Sequence, residues 1–339
     1  MKIKLVAFAV AFIAISCKQA QLTSVPEQKN HFNHQIFEEN KLPPRATFFG
    51  AEAAEIIDKE HSNRFISLNG DWKFHFVKDP RQRLTTFQNI YFDDRDWASI
   101  PVPANWEVEG YDYPIYLDER YPFDSKWPDA PTEYNPVGTY RKEIVLTKEF
   151  LAEDVILHFA GVKSAMYVYV NGVYAGYSQG SKTPAEFNIS TYLKAGKNLI
   201  ALQLFRWSDA SYLESQDMLR MSGIEREVYL YSQPKVSVSD CYIYSNLDAS
   251  YTNGIFKGSV SLRNNSNEKV SRTLVLALMD GEKSIVKEIK NLEIPEQASI
   301  DFVSEKIIEN IKQWSAEIPN LYTLKISLED ANNPKNNLY

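Results

Sequence analysis

Thiols are nearly missing from this chain of 339 residues: Cys17 and Cys241 are its two cysteines, so no disulfide framework braces the fold. Blocks of lysine and arginine are also missing, and the net charge is -7, which excludes a phosphate backbone as a natural partner and with it nucleic acid. The opening apolar run, eleven residues from Leu5 to Ile15, is too short to span a bilayer. His31 and His34 stand three apart, but no cysteine, aspartate or third histidine accompanies them at useful spacing, which argues against zinc. No long helical periodicity occurs, and that points away from folds alternating helix with strand.

What is present describes a soluble globular chain with room for two domains: 44% hydrophobic residues, 24% charged and 13% aromatic. The aromatic content suits stacked strands and equally the apolar faces of saccharide rings, and composition alone does not separate the two. Lys2 and Lys4 precede the apolar run, and Ser16 and Cys17 follow it, as in an export signal with a lipobox. Residues 1–17 are therefore expected to be a lipoprotein-type signal peptide. The mature chain would be exported, held in the periplasm or at the outer membrane by lipid on Cys17, with no other membrane contact. A plain secretory signal cut elsewhere is the alternative. Residues 18–60 read as a polar tether and an irregular arm.

From Phe65 onward the hydrophobic period is two. In WKFHF (72–76), Trp72, Phe74 and Phe76 alternate with polar residues, which marks a half-buried strand. Asn171 and Gly172 separate MYVYV (166–170) from VYAGY (173–177), a type I′ hairpin signal. Further strand-like runs are VILHF (155–159), LIALQLF (199–205), VYLYS (228–232), VSVSDCYIY (236–244), IFKGSVSL (255–262), RTLVLALM (272–279), ASIDFV (298–303) and YTLKISL (322–328). Short strands without alternating helices predict an all-β protein of two antiparallel sandwiches, divided near Gln233, Pro234 and Lys235. Residues 61–235 form the larger sandwich, with a long insertion at 104–139. Residues 236–339, with about seven strand candidates, match an immunoglobulin-like sandwich.

Gly176, Ser178 and Gly180 form G-x-S-x-G, the pattern of a nucleophile elbow, but here the motif ends a hairpin and does not enter a helix, so Ser178 reads as structural. The richer segment is RWSDASYLESQDMLRMSGIEREV (206–228), a loop between two strands with three carboxylates, Asp209, Glu214 and Asp217. Glycoside hydrolysis needs two carboxyl groups facing one bond, and nothing in the spacing pairs any two of these. They read instead as binders of sugar hydroxyls or of a hard cation such as magnesium, calcium or sodium, while Arg206, Trp207, Arg220 and Arg226 brace the loop.

SLNGDWKF (67–74), PVPANWEVEGYDYPIY (101–116), NPVGTYRKE (135–143), FAGVKSAMYVYVNG (159–172), residues 206–228 and WSAEIPNLY (314–322) together resemble the amino-terminal part of the β-galactosidases of glycoside hydrolase family 2. The resemblance runs from residue 33 to about 328. It implies a jelly-roll sugar-binding domain, then an immunoglobulin-like domain, and a (β/α)8 barrel with two catalytic glutamates that is absent from these 339 residues. No residue here is therefore assigned a catalytic role. The activity implied is retaining hydrolysis of terminal non-reducing β-D-galactose, with a galactoside and the barrel portion as partners; a homo-oligomer is compatible with the resemblance. The same resemblance makes Asp217 a ligand of substrate hydroxyls and of Na+, and makes Asp118 a substrate contact where the family has asparagine. It gives a Mg2+ (or Ca2+) site to Asn33, Gln179 and Asp209, with Asn30 standing where the family has an arm aspartate. The reading from a different class is a stand-alone, non-catalytic carbohydrate-binding lipoprotein. A family relative such as a β-glucuronidase or β-mannosidase is disfavoured by YLE-x-QD and the PIY loop.

Overall fold

Strands Ala165–Val170 and Gly196–Phe205 read as near-continuous apolar runs because both of their faces are covered. Met166, Val168, Val170, Ile200, Leu202 and Leu204 point into one core, whereas Tyr167, Tyr169, Leu199, Ala201 and Phe205 point into a second. The period of two survives, but it sorts residues between two interiors and not between interior and water. In the computed structural model, which describes residues 23–334 and 337–339, these strands form the centre of a seven-stranded antiparallel sheet. Its order is Glu38–Glu39, Val173–Ser178, Ala165–Val170, Gly196–Phe205, Val137–Leu146, Gly70–Val77 and Ala98–Val102.

A four-stranded sheet, Ala185–Asn188, Asp154–Phe159, Val228–Gln233 and Phe65–Ser67, closes the first core. Trp72 and Phe74 enter this core as the alternation in WKFHF predicts, and Phe76 packs at its margin. The second core lies on the outer face of the large sheet. There the arm contributes Val25 and Ile36, and the loop ahead of Ala98 contributes Leu84, Phe87 and Trp97. Asn171 and Gly172 hold φ of 51° and 89° between paired Val170 and Val173, which is the expected hairpin turn.

Part of the arm is a structural element, where sequence reading expects irregular chain. Glu38–Glu39 pairs antiparallel with Tyr177 and Ser178. This pairing explains the first glycine of G-x-S-x-G. A Cβ on Gly176 would lie 2.6 Å from the Glu39 carbonyl oxygen and 2.5 Å from the Phe187 ring. Ser178 is buried in an antiparallel strand between Glu38 and Met166, so no strand-to-helix elbow forms. Gly176→Ala is expected to cost about 1–3 kcal/mol of stability through overpacking and to loosen the arm strand. Urea unfolding with limited proteolysis between residues 35 and 45 checks this; an unchanged midpoint and cleavage pattern would refute it.

The second sandwich packs the sheet Val236–Leu247, Gly254–Asn264, Ala298–Ile308 against the sheet Lys283–Ile294, Val270–Asp280, Thr323–Glu329. It has six strands among the described residues, one fewer than expected, and Leu338 adds a bridge to Leu328. Its core includes Val260, Leu262, Leu274, Leu276 and Leu328. Between the sandwiches runs the arm. Phe48 packs on the second core, Leu42 and Phe49 pack on the outer face of the four-stranded sheet, and Ala51 exchanges two 3.0 Å backbone hydrogen bonds with Tyr339. The expected signal peptide and Cys17 lie outside the described residues.

Candidate functional site

The segment after Phe205 begins with a cation in the protein interior. Arg206 has no exposed side-chain surface, and it pairs with Asp112 and, at 3.5 Å, with Glu107, two equally buried carboxylates from the 104–139 insertion. Its guanidinium also donates to the carbonyls of Tyr113 at 3.1 Å and Arg220 at 3.0 Å. Asp112 accepts a 2.5 Å hydrogen bond from the Tyr134 hydroxyl. Burial pushes the Glu107 carboxyl above its usual range, and the Ser222 amide and the nearby Arg206 charge work against that rise. The backbone turn that follows is capped by Ser208 and Ser211, each accepting from the other's amide, and Trp207 is held at both its N–H and its carbonyl by the amide of Asn135.

Arg220 is the second brace. It donates to the carbonyls of Gln216 and, at 2.8 Å, Asp118, and at 3.1 Å to the Ser215 hydroxyl. Residues 115 and 220 bridge through the backbone. One arginine thus locks the loop bearing Asp217 to the loop bearing Asp118. Arg226, expected to share this role, is exposed and lays its methylenes against Gly161.

The three carboxylates of 206–228 meet three different fates. Glu214 turns back to accept from the Ser181 amide at 2.8 Å and hydroxyl at 2.6 Å, so it fastens loops together instead of offering an open acceptor. Asp209 faces inward. One of its oxygens accepts from the Gln179 amide at 2.9 Å, the other is buried with no hydrogen-bond partner, and burial raises its carboxyl pKa. Asp217 faces outward, exposed, its Oδ1 accepting a 2.6 Å hydrogen bond from the Tyr116 hydroxyl. Asp217, Asp118 and Glu119 all act on Tyr116, whose hydroxyl is pushed upward first by its bond to Asp217 and then by these charges. Sequence reading missed Tyr116, although it stands in the PIY run that led to Asp118.

Asp118 has a φ of +47°, a conformation that asparagine and aspartate tolerate better than most residues, so the turn accommodates either. Its carboxylate lies 3.9 Å from Arg120 and remains half exposed. The arm turn Asn30–Phe32, which leads into Asn33, packs near the turn Asp209–Tyr212, so Gln179 and Asp209 meet directly with the arm beside them. Among the described residues no group of three or more His, Cys, Asp or Glu side chains is placed to hold a metal. His31 is buried, stacked on Phe205, with its Nδ1 2.9 Å from the Tyr167 hydroxyl; burial lowers its pKa to about 3 and keeps it neutral.

The site thus has an outward carboxylate at a sheet rim, a tyrosine donor beside it and two arginines fixing the loops beneath. Residues 65–234 match the pattern of the sugar binding domain of glycosyl hydrolases family 2, and residues 236–338 match a second pattern of the same family. The chain belongs to glycosyl hydrolase family 2. It is 39% identical over 323 residues to a β-galactosidase of Priestia megaterium, covering 92% of this chain and 31% of that protein. It is 41% identical over 280 residues to one of Photobacterium profundum, covering 81% and 27%. The chain therefore spans about three-tenths of the length of these family 2 relatives. Among solved structures, Bacteroides uniformis β-glucuronidase 2 superposes with a TM-score of 0.65 at 22% identity, covering 81% of this chain and 31% of that one. The β-glucuronidase of Bifidobacterium dentium gives 0.59 at 18%, covering 80% and 46%. At these identities the structures establish the fold alone.

Proposed function

We propose that these residues are the sugar-binding part of a β-galactosidase that hydrolyses terminal non-reducing β-D-galactose with retention, the acid/base and nucleophile being supplied by a barrel that the 339 residues do not include. The observation that carries this reading is the position of Asp217. Its carboxylate is exposed, its direction is fixed by Tyr116, and its loop is held by Arg220, so one oxygen pair is presented to a ligand with little ordering left to lose. An ionised carboxylate accepting from sugar hydroxyls gives the stronger class of hydrogen bond. Asp118, on the adjoining loop, adds an acceptor but lacks the donor that an asparagine amide would bring.

Two cations accompany the proposal. The buried oxygen of Asp209 that has no partner is the feature a hard cation would satisfy; Asp209 and Asn33 offer a carboxylate and an amide oxygen, and Gln179, which turns its N–H to Asp209 and its oxygen to the Tyr177 hydroxyl, would join them by rotating its amide. Mg2+ or Ca2+ held there would pin the arm to the 206–228 loop. Na+ at Asp217 would bring a positive charge next to sugar oxygens. Export and lipid attachment at Cys17 complete the reading, and a homo-oligomer fits it.

Asp217→Ala is expected to weaken galactose binding by about tenfold to a hundredfold, the range for a hydrogen bond to a charged group. Titration of galactose followed by NMR on wild type and variant measures it, and equal affinities would sink the assignment. The second reading is a binding lipoprotein that presents sugar without cleaving it, and it would use the same outward carboxylate of Asp217. Hydrolysis of a chromogenic galactoside by the full-length gene product, not by these 339 residues alone, separates it from the first.

A further inference from the structure

On the same rim, the insertion carries an exposed tryptophan that the galactose reading does not use. Trp127 is 59% exposed, although its indole stacks on the Tyr212 ring with centroids 4.1 Å apart and planes 27° from parallel. Tyr212 covers one face of the indole, and more than half of the residue's surface remains open to solvent. The ring beneath is fixed. The Tyr212 hydroxyl donates to the Asp129 carbonyl at 2.9 Å and accepts from the Lys126 amide at 3.0 Å, and Tyr121 meets both rings edge-on at 5.0 and 5.5 Å. Phe123 wedges between Tyr212 and the buried Trp207. Residues 126 and 129 bridge across the turn, so Trp127 stands at its apex with the exposed polar residues Asp124, Ser125, Lys126 and Asp129 around it.

We propose that Trp127, stacked on Tyr212, is a platform for a second pyranose ring, the unit to which the terminal galactose of an oligosaccharide is joined. This deepens the proposed function and rests on it. The C–H face of a pyranose fits a flat indole, and the carboxylates and hydroxyl around the turn suit its equatorial hydroxyls. Continuity with the galactose rim argues for sugar as the occupant. Tyr212 ends the turn that leads, five residues later, to Asp217, and the Ser215 hydroxyl ties the intervening loop to the Glu119 carbonyl at 3.1 Å. Because the stack is already assembled, a ligand orders little on binding, as in aromatic-rich recognition surfaces.

The test uses the whole chain and three ligands: galactose, a β-linked galactotriose and a nitrophenyl galactoside. NMR titration or calorimetry is expected to show tighter binding of the triose than of galactose. Trp127→Ala should remove that gain, about tenfold for one stacking contact, while galactose affinity stays unchanged. Trp127→Tyr should restore most of it, which a folding defect would not allow. Equal triose affinity in wild type and Trp127→Ala overturns the platform. Loss confined to the nitrophenyl galactoside also overturns it, since the site would then select aromatic groups and not sugar. Asp217→Ala separates the two levels: if it leaves galactose binding intact while Trp127→Ala still weakens the triose, the platform stands and the galactose assignment falls.

Discussion

Replacing Arg206 by methionine is expected to destabilise the first sandwich by about 3–5 kcal/mol, the cost of removing one partner from a buried ion cluster. The side chains of Arg206, Asp112 and Glu107 have no solvent exposure, so the two carboxylates would be left uncompensated where water cannot reach them. A single point charge is a poor substitute, because the guanidinium also donates to the carbonyls of Tyr113 and Arg220, and Arg206→Lys should recover little. The neutralised triple variant Glu107→Gln, Asp112→Asn, Arg206→Met should regain much of the loss, since no bare charge remains. Urea unfolding of the four proteins decides the matter. A triple variant no more stable than Arg206→Met would mean that shape, and not uncompensated charge, governs the site.

The same cluster explains what the sequence discloses about this site. Asp217 could be singled out because it stands in a polar loop between two obvious strands, and Trp72, Phe74 and the Asn171–Gly172 turn declare their roles through alternation and turn chemistry. Glu214 could not be told from Asp217. They stand three positions apart, yet one is spent on Ser181 and the other faces solvent, and only the meeting of distant loops decides which. Tyr116 was hidden for the same reason: its partner is 101 residues away.

Of the strands that escaped the pattern, two did so for opposite reasons. Val137–Leu146 is central to the large sheet, but its YRKE stretch reads as solvated. Arg141 is in fact buried, pairing with Asp94 and donating to the carbonyls of Phe87 and Asn89. Lys283–Ile294 lies at a sheet edge with most of its residues exposed, so its lysines and glutamates mask the alternation. The arm was illegible because its burial is supplied wholly by surfaces remote in sequence.

That arm carries the second large effect, at low pH. Arg45 forks onto Glu186 with two 2.9 Å hydrogen bonds and rests 4.5 Å from the Phe48 ring, while the next backbone amide donates to Asp240 of the second sandwich at 2.8 Å. His158 places Nδ1 2.8 Å from the same carboxylate, which it reaches as a donor while Glu186 is ionised. Burial opposes that ionisation, but the hydrogen bonds from His158 and Arg45 outweigh it and hold the Glu186 carboxyl at about 2, from an ordinary 4.5. A depressed carboxylate contributes stability that is complete above its unfolded value and is lost as pH falls through its folded one. With 7% of the side chain exposed, screening by water is slight, and the shift corresponds to about 3 kcal/mol withdrawn between pH 5 and pH 2. Wild type should lose this amount more than Glu186→Gln over that interval, because the variant has no proton to gain. Arg45→Ala should show a reduced loss and, with the bridge from arm to both sandwiches cut, two separated unfolding transitions. Parallel stability curves for wild type and Glu186→Gln from pH 5 to pH 2 would show that this clamp holds the sandwiches by packing of Phe48 and Phe49 alone.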